Sequence, residues 1–202
     1  MLLFSLLNIY KRAKMLNILE SFVFLKDFPI ANYKIVTHET DLSKIKFPYY
    51  IKATGVLHKT EQKAVLRCNN FDQAFANFKS LKKKFPDSEI IIQEAIDGIE
   101  FIIGLKNDKV FGKLLLVGFG GIFTETIRDI QFRALPLEKS EIESMIKSLK
   151  FYEILEKRKK YAIDKLINLV MKISKLDVSE LDLNPVRLNE KEAIIVDARI
   201  EV

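Results

Sequence analysis

A single cysteine, Cys68, stands in a chain of 202 residues, so no intrachain disulfide can close. Only two histidines, His38 and His58, accompany it, too few for the usual four-ligand zinc site. Both facts fit a reducing compartment, and the cytoplasm is the expected location. Glycine (7) and proline (5) are scarce beside 49% hydrophobic and 30% charged residues, which excludes the disordered, collagenous and low-complexity classes. A long apolar run is also missing. The stretch Met1–Tyr10 stops at Lys11-Arg12, short of the roughly 20 residues that span a bilayer. Its charges follow the apolar run instead of preceding it, and no small-residue cleavage site appears, so neither a membrane anchor nor a secretory signal is expected. What is present suffices for one ordinary domain or two small lobes that bury about two-thirds of the unfolded surface.

The net charge is +6 and the isoelectric point about 9.2, which suits nucleic acid, an anionic membrane or a phosphorylated ligand. The basic runs Lys82–Lys84 and Lys157–Lys160 are attached to apolar helical patterns without an aromatic-glycine signature. They are read as solvated helix faces, and neither nucleic acid nor membrane is expected as a partner.

Residues 1–26 are expected to be helical. Strands are predicted at 32–37 and 49–52 with a short helix between, and at 64–68. Asn69-Asn70 opens a helix stopped by Phe85-Pro86, whose Phe71, Phe75 and Phe78 are read as core. A strand at 89–96 ends in Asp97-Gly98 and another resumes at 99–105, so two α+β lobes are expected to meet near residues 93–98. Leu114–Val117 reads as a strand buried on both faces, followed by glycines at 118, 120 and 121 and a strand at 130–135. Helices are predicted at 139–150 and 158–175, the second with an Ile163, Leu166, Ile167, Val170, Ile173 stripe. Strands at 180–188 and 193–199 close the chain.

In a strand, Asp182 and Asn184 share a face while Leu183 packs on the other. If 180–188 and 193–199 pair as a hairpin, Asp197 falls across from Asn184. An amide oxygen and a carboxylate are hard ligands that would suit Mg²⁺ together with substrate phosphates. An acidic strand end beside Asn-Pro is also ordinary turn chemistry, and spacing leaves both readings open. Gly118, Gly120 and Gly121 permit close backbone approach, to a phosphoryl group or simply in a tight turn.

The run Gly118-Phe-Gly-Gly-Ile-Phe-Thr-Glu-Thr-Ile-Arg-Asp-Ile-Gln-Phe-Arg-Ala-Leu-Pro-Leu137 resembles the glycine-rich segment of the β subunit, or ATP-grasp domain, of ADP-forming acetyl-CoA synthetase. Val56-Leu-His-Lys-Thr60, Gln93-Glu94 with Gly98-Ile-Glu100, and Glu180-Leu-Asp-Leu-Asn-Pro185 with Val196-Asp-Ala-Arg-Ile200 agree in order. The matches cover about residues 16–200. The resemblance implies an ATP-grasp fold, a single domain over 1–202 holding nucleotide between two α+β lobes, here residues 27–92 and 93–202 after the segment 1–26. It implies a ligase that interconverts acyl-CoA, ADP and phosphate with a carboxylic acid, CoA and ATP through an acyl phosphate and a phosphohistidine. It also implies ATP or ADP and Mg²⁺ as cofactors. By position, Lys52 resembles the lysine on the nucleotide phosphates, Glu94, Ala95 and Ile96 the adenine-receiving hinge, and Glu100 a carboxylate near the nucleotide. Asn184 and Asp197 match Mg²⁺ ligands, and Asp182 an acidic residue that steadies phosphohistidine. His58 matches a second phosphoryl carrier, a role that a neutral imidazole can perform near pH 7. Arg128 and Arg133 are placed to screen phosphate charge or to pair with Asp129 or Glu125.

The resemblance departs after His58-Lys59. The family continues Ser-Asp-x-Gly-Gly-Val where this chain reads Thr60-Glu-Gln-Lys-Ala-Val65, with Lys63 and Ala64 in place of the glycines. The segment between Lys52 and His58 is also about two residues shorter than is usual. CoA-binding and acyl-binding domains are absent from the matched stretch, so a separate α subunit in an α2β2 heterotetramer is the expected partner. A non-catalytic nucleotide-binding module is the competing reading, motivated by the lost glycines.

Overall fold

The computed structural model describes residues 14–56, 62–121, 128–157 and 161–202. Its elements fall into two antiparallel sheets. The smaller sheet contains β2 (Tyr33–Val36), β3 (Tyr49–Ala53), β4 (Val65–Cys68) and β5 (Ile90–Glu94), in the order β2-β5-β3-β4. The larger contains β1 (Met15–Leu16), β6 (Ile99–Asp108), β7 (Gly112–Phe119), β8 (Ile130–Ala134), β9 (Glu180–Leu188), β10 (Ala193–Ile195) and β11 (Arg199–Glu201), in the order β1-β11-β9-β6-β7-β8 with β10 also on β9. A 3₁₀ turn at Glu39–Ser43 links β2 and β3.

Helix α2 (Phe71–Lys84) covers the smaller sheet. Asn70 caps it by accepting a hydrogen bond from Gln73 N–H, and Phe85-Pro86 ends it because the residue before proline disfavours helix. Ala74, Phe78 and Leu81 meet Tyr49, Ile51, Ile90 and Ile92 in the smaller core. Phe71, expected inside, is instead 45% exposed and stacks on Phe75. Each fully buried aliphatic here contributes about 1.5–3 kcal/mol by leaving water.

On the larger sheet one face is sealed. Phe101, Ile103, Leu105, Leu115, Val117, Leu181 and Leu183 bury against α1 (Ile18–Phe24), α3 (Lys139–Lys147), α4 (Glu153–Lys157) and α5 (Ile163–Ile173). Leu114 and Leu116 are only half-buried. The expectation of two covered faces is therefore corrected: an antiparallel sheet needs helices on one side only, and the face carrying Leu116 is left open. Helix α4 stands where no helix is predicted, and among the described residues of the predicted helix at 158–175 the helical ones are those of α5.

The amino-terminal segment is likewise corrected. Among its described residues, 15–16 form a strand on β11, fastened by Lys14 N–H to Val202 O and Val202 N–H to Lys14 O, and α1 spans seven residues. Ile18, Phe22 and Leu25 enter the larger core. Residues 14–31 thus belong with the larger sheet, although they precede the smaller one in sequence. Ile91 of β5 also joins the larger core, so the smaller sheet turns its second face towards the larger sheet. No helix among the described residues is long and apolar enough to cross a membrane.

Candidate functional site

On the open face of the larger sheet the register brings three oxygen-bearing side chains together. Ile195 lies opposite Val186 and Arg199 opposite Asp182. The offset is the same on both sides of the gap, so Asp197 falls opposite Asn184. Between Phe101 and Ile103 the β6–β9 register shifts, giving β9 an extra residue at Asn184-Pro185. That bulge returns Arg187 to the face of Asp182 and Asn184.

Asp182 is exposed on this face. Desolvation first, and the Asp197 carboxylate second, hold its carboxyl above the usual carboxylate range, against the opposing pull of Arg199. Two carboxylates that repel across a strand pair favour a cation between them. Among the described residues no three carboxylate, imidazole or thiol groups converge as a metal site; the candidate pair, the Asn184 amide oxygen and the Asp197 carboxylate, are hard donors that fit Mg²⁺ with further ligands from phosphate or water, and Asp182 stands beside them.

The smaller sheet contributes Lys52, 5% exposed. Its Nζ donates to Gln93 Oε1 at 2.5 Å and to Val196 O at 3.3 Å, so it crosses from β3 to the segment that carries Asp197. At the junction of the sheets Glu94 Oε1 accepts from Asn32 N–H at 2.7 Å, and Glu94 N–H donates to Asn32 O. Ala95 N–H donates to Pro48 O at 3.3 Å. Among the described residues Ile96 N–H has no such partner.

Glu100 pairs with Arg187 at 2.5 Å, and Arg187 also donates to Gly98 O. Gly120 N–H donates to Glu100 O at 2.7 Å, and a Cβ on Gly121, at φ +63°, would collide with Glu100 Oε2. These glycines let the chain close onto Glu100. Asp129 is buried and accepts from Lys150 N–H and Phe151 N–H, tying the far end of the glycine segment to the turn after α3; among the described residues it pairs with no arginine.

Arg133 requires a correction. It lies opposite Leu115, on the helix-covered face, and donates to Phe132 O. The sheet separates it from Asp182. Arg128 is exposed, with φ +50°. His58 and the loop start at Thr60 lie outside the described residues. Lys63, standing where the family has glycine, takes φ +51°.

Sequence reasoning assigned no role to Gln93 or Arg187. The alternation in β9 signals Arg187 only once the bulge is known.

A family model described as an ATP-grasp domain matches residues 11–202. The chain belongs to the ATP-grasp family. It is 33% identical over 188 residues to the acetate–CoA ligase (ADP-forming) II subunit beta of Pyrococcus furiosus, covering 78% of this chain and 76% of that one. It is 32% identical over 200 residues to the acetate–CoA ligase (ADP-forming) II of Archaeoglobus fulgidus, covering 91% of this chain but only 30% of the ligase. Acetyl-coenzyme A synthetase 1 of Ca. Korarchaeum cryptofilum, solved in complex with coenzyme A and Mg-AMPPCP, superposes with a TM-score of 0.80 at 30% identity, covering 93% of this chain and 92% of that one.

Proposed function

We propose that this ATP-grasp chain is the nucleotide-binding β component of an ADP-forming acyl-CoA synthetase, interconverting acyl-CoA, ADP and phosphate with a carboxylic acid, CoA and ATP. The observation that carries the reading is the reach of buried Lys52 from the smaller sheet to Val196 O, beside Asp197 on the open face of the larger. A cation from one sheet and acidic oxygens from the other then flank one cleft, as a nucleotide phosphate chain with its metal requires.

Lys52 neutralises phosphate charge as a compact ammonium. The hinge at Glu94, Ala95 and Ile96 receives adenine; with Ala95 N–H held by Pro48 O, the Ile96 N–H is the amide left to meet the purine. Glu100, set by Arg187 and by Gly120 and Gly121, stands near the nucleotide. Asn184 and Asp197 hold Mg²⁺, which when bound supplies charge neutralisation of the phosphate oxygens. Asp182 steadies a phosphohistidine segment, and His58 carries the phosphoryl group towards an α subunit bearing the CoA and acyl sites, in an α2β2 assembly in the cytoplasm. Arg133 is left out because the sheet stands between it and these groups.

The test is calorimetric titration of the chain with ATP and ADP, with and without Mg²⁺, beside the Asn184→Ala, Asp197→Ala double variant. Mg²⁺-dependent binding lost in the variant is the expected result. Equal affinity in both proteins would refute the metal assignment, and the absence of nucleotide binding by the unaltered chain would refute the reading itself.

A further inference from the structure

The strongest unexplained group is the amide of Gln93, wholly buried at the end of β5, one residue before the hinge. It lies opposite Tyr50 on the face of the smaller sheet that also carries Lys52. Buried amides must satisfy both ends. Lysine only donates, so the atom facing Lys52 Nζ is the amide oxygen; the nitrogen then points to Ala31 O, at 3.5 Å, the outer limit of a hydrogen bond. Ala31 in turn donates its N–H to Ile195 O, and the next residue, Val196, accepts from Lys52. The contacts form a ring joining β3, β5, the chain before β2 and the segment that leads into Asp197.

We infer that Gln93 is a positioning residue for the nucleotide phosphates: it fixes the Lys52 ammonium against the segment presenting Asp197. This rests on the reading of Lys52 as the phosphate contact. A neutral acceptor suits the task, because it orients the ammonium without bringing a further negative charge to the place where phosphates arrive. Without it the lysine has four rotatable bonds and loses one of the acceptors that hold its head. Gln93 acts through Lys52 and does not itself touch the nucleotide.

The experiment is a double-variant cycle on the full chain, with the dissociation constant for ATP in excess Mg²⁺ measured by calorimetry for Gln93→Met, Lys52→Met and the pair. Gln93→Met is expected to weaken ATP about tenfold, as the loss of a hydrogen bond to a charged group does, and to weaken it by less than about twofold once Lys52 is Met. A tenfold loss in both backgrounds marks a merely structural residue and overturns the inference, as does unchanged affinity for Gln93→Met alone. If Lys52→Met by itself binds ATP as the unaltered chain does, the phosphate reading of Lys52 fails and the inference falls with it. Should Gln93→Met not fold, Gln93→Asn replaces it in the same cycle with the same outcomes, since it keeps an amide but loses the reach to Lys52.

Discussion

Gly121 tests whether the glycine segment is shaped by its contact with Glu100. In Gly121→Ala two costs arise. At φ +63° an L-residue costs about 1–2 kcal/mol relative to glycine. The new Cβ also meets Glu100 Oε2, the end of a side chain that can swing, so the collision is relieved by moving the carboxylate away from Arg187. That pair is partly shielded, with side chains 29% and 25% exposed, and its loss costs about 1 kcal/mol. The sum, about 2–3 kcal/mol, lowers the melting temperature by about 5–10 °C in a chain of this size. Thermal unfolding followed by circular dichroism measures it. In a Glu100→Ala background the collision has no target, and the cost should fall to the backbone contribution alone. A melting temperature within about 1 °C of the unaltered protein, or an undiminished cost in the Glu100→Ala background, would show that Gly121 does not make room for Glu100.

Lys63 takes φ +51° where the family carries glycine, so Lys63→Gly should raise stability by about 0.5–1 kcal/mol in urea unfolding, the relief of a left-handed L-residue less the added freedom of the unfolded chain; a loss of stability would contradict this. Asp41 accepts from Lys44, from the N–H groups of His38 and Thr37 and from Thr37 Oγ1, which together hold its carboxyl well below the usual carboxylate range. A depressed folded value means that the stabilisation is complete above the unfolded carboxylate value and is lost as pH falls below about 4. Melting temperatures of the unaltered protein and Asp41→Asn should therefore converge between pH 4 and pH 2, and a constant gap would refute the linkage.

Much of the site was legible because its signals are local. Asp182 and Asn184 share a face by the strand period, and a short turn fixes Asp197 opposite Asn184. The partners that sequence missed are remote: Lys52 meets Gln93 across 41 residues and Val196 across 144. No period connects such positions. Strand β1, two residues long, is too short to show alternation at all, and its partner lies at the other end of the chain.

Strand β8 shows how a local pattern can point the wrong way. Its apolar residues Ile130, Phe132 and Ala134 alternate with Gln131 and Arg133, which by pattern alone would turn the apolar set inward. The pairing of Leu115 with Arg133 and Leu116 with Phe132 does the reverse, leaving Phe132 50% exposed on the open face. The register is held elsewhere. Gly118 lies opposite Ile130 with no room for a Cβ between them, Phe119 N–H donates to Asp129 O, and the buried Asp129 carboxylate is anchored on Lys150 and Phe151. A slip of one residue would turn β8 over but would break all three. The anchor at the start of the strand therefore outweighs the alternation along it, and Arg133, at an edge where its guanidinium still reaches a carbonyl and solvent, sits on the face away from Asp182.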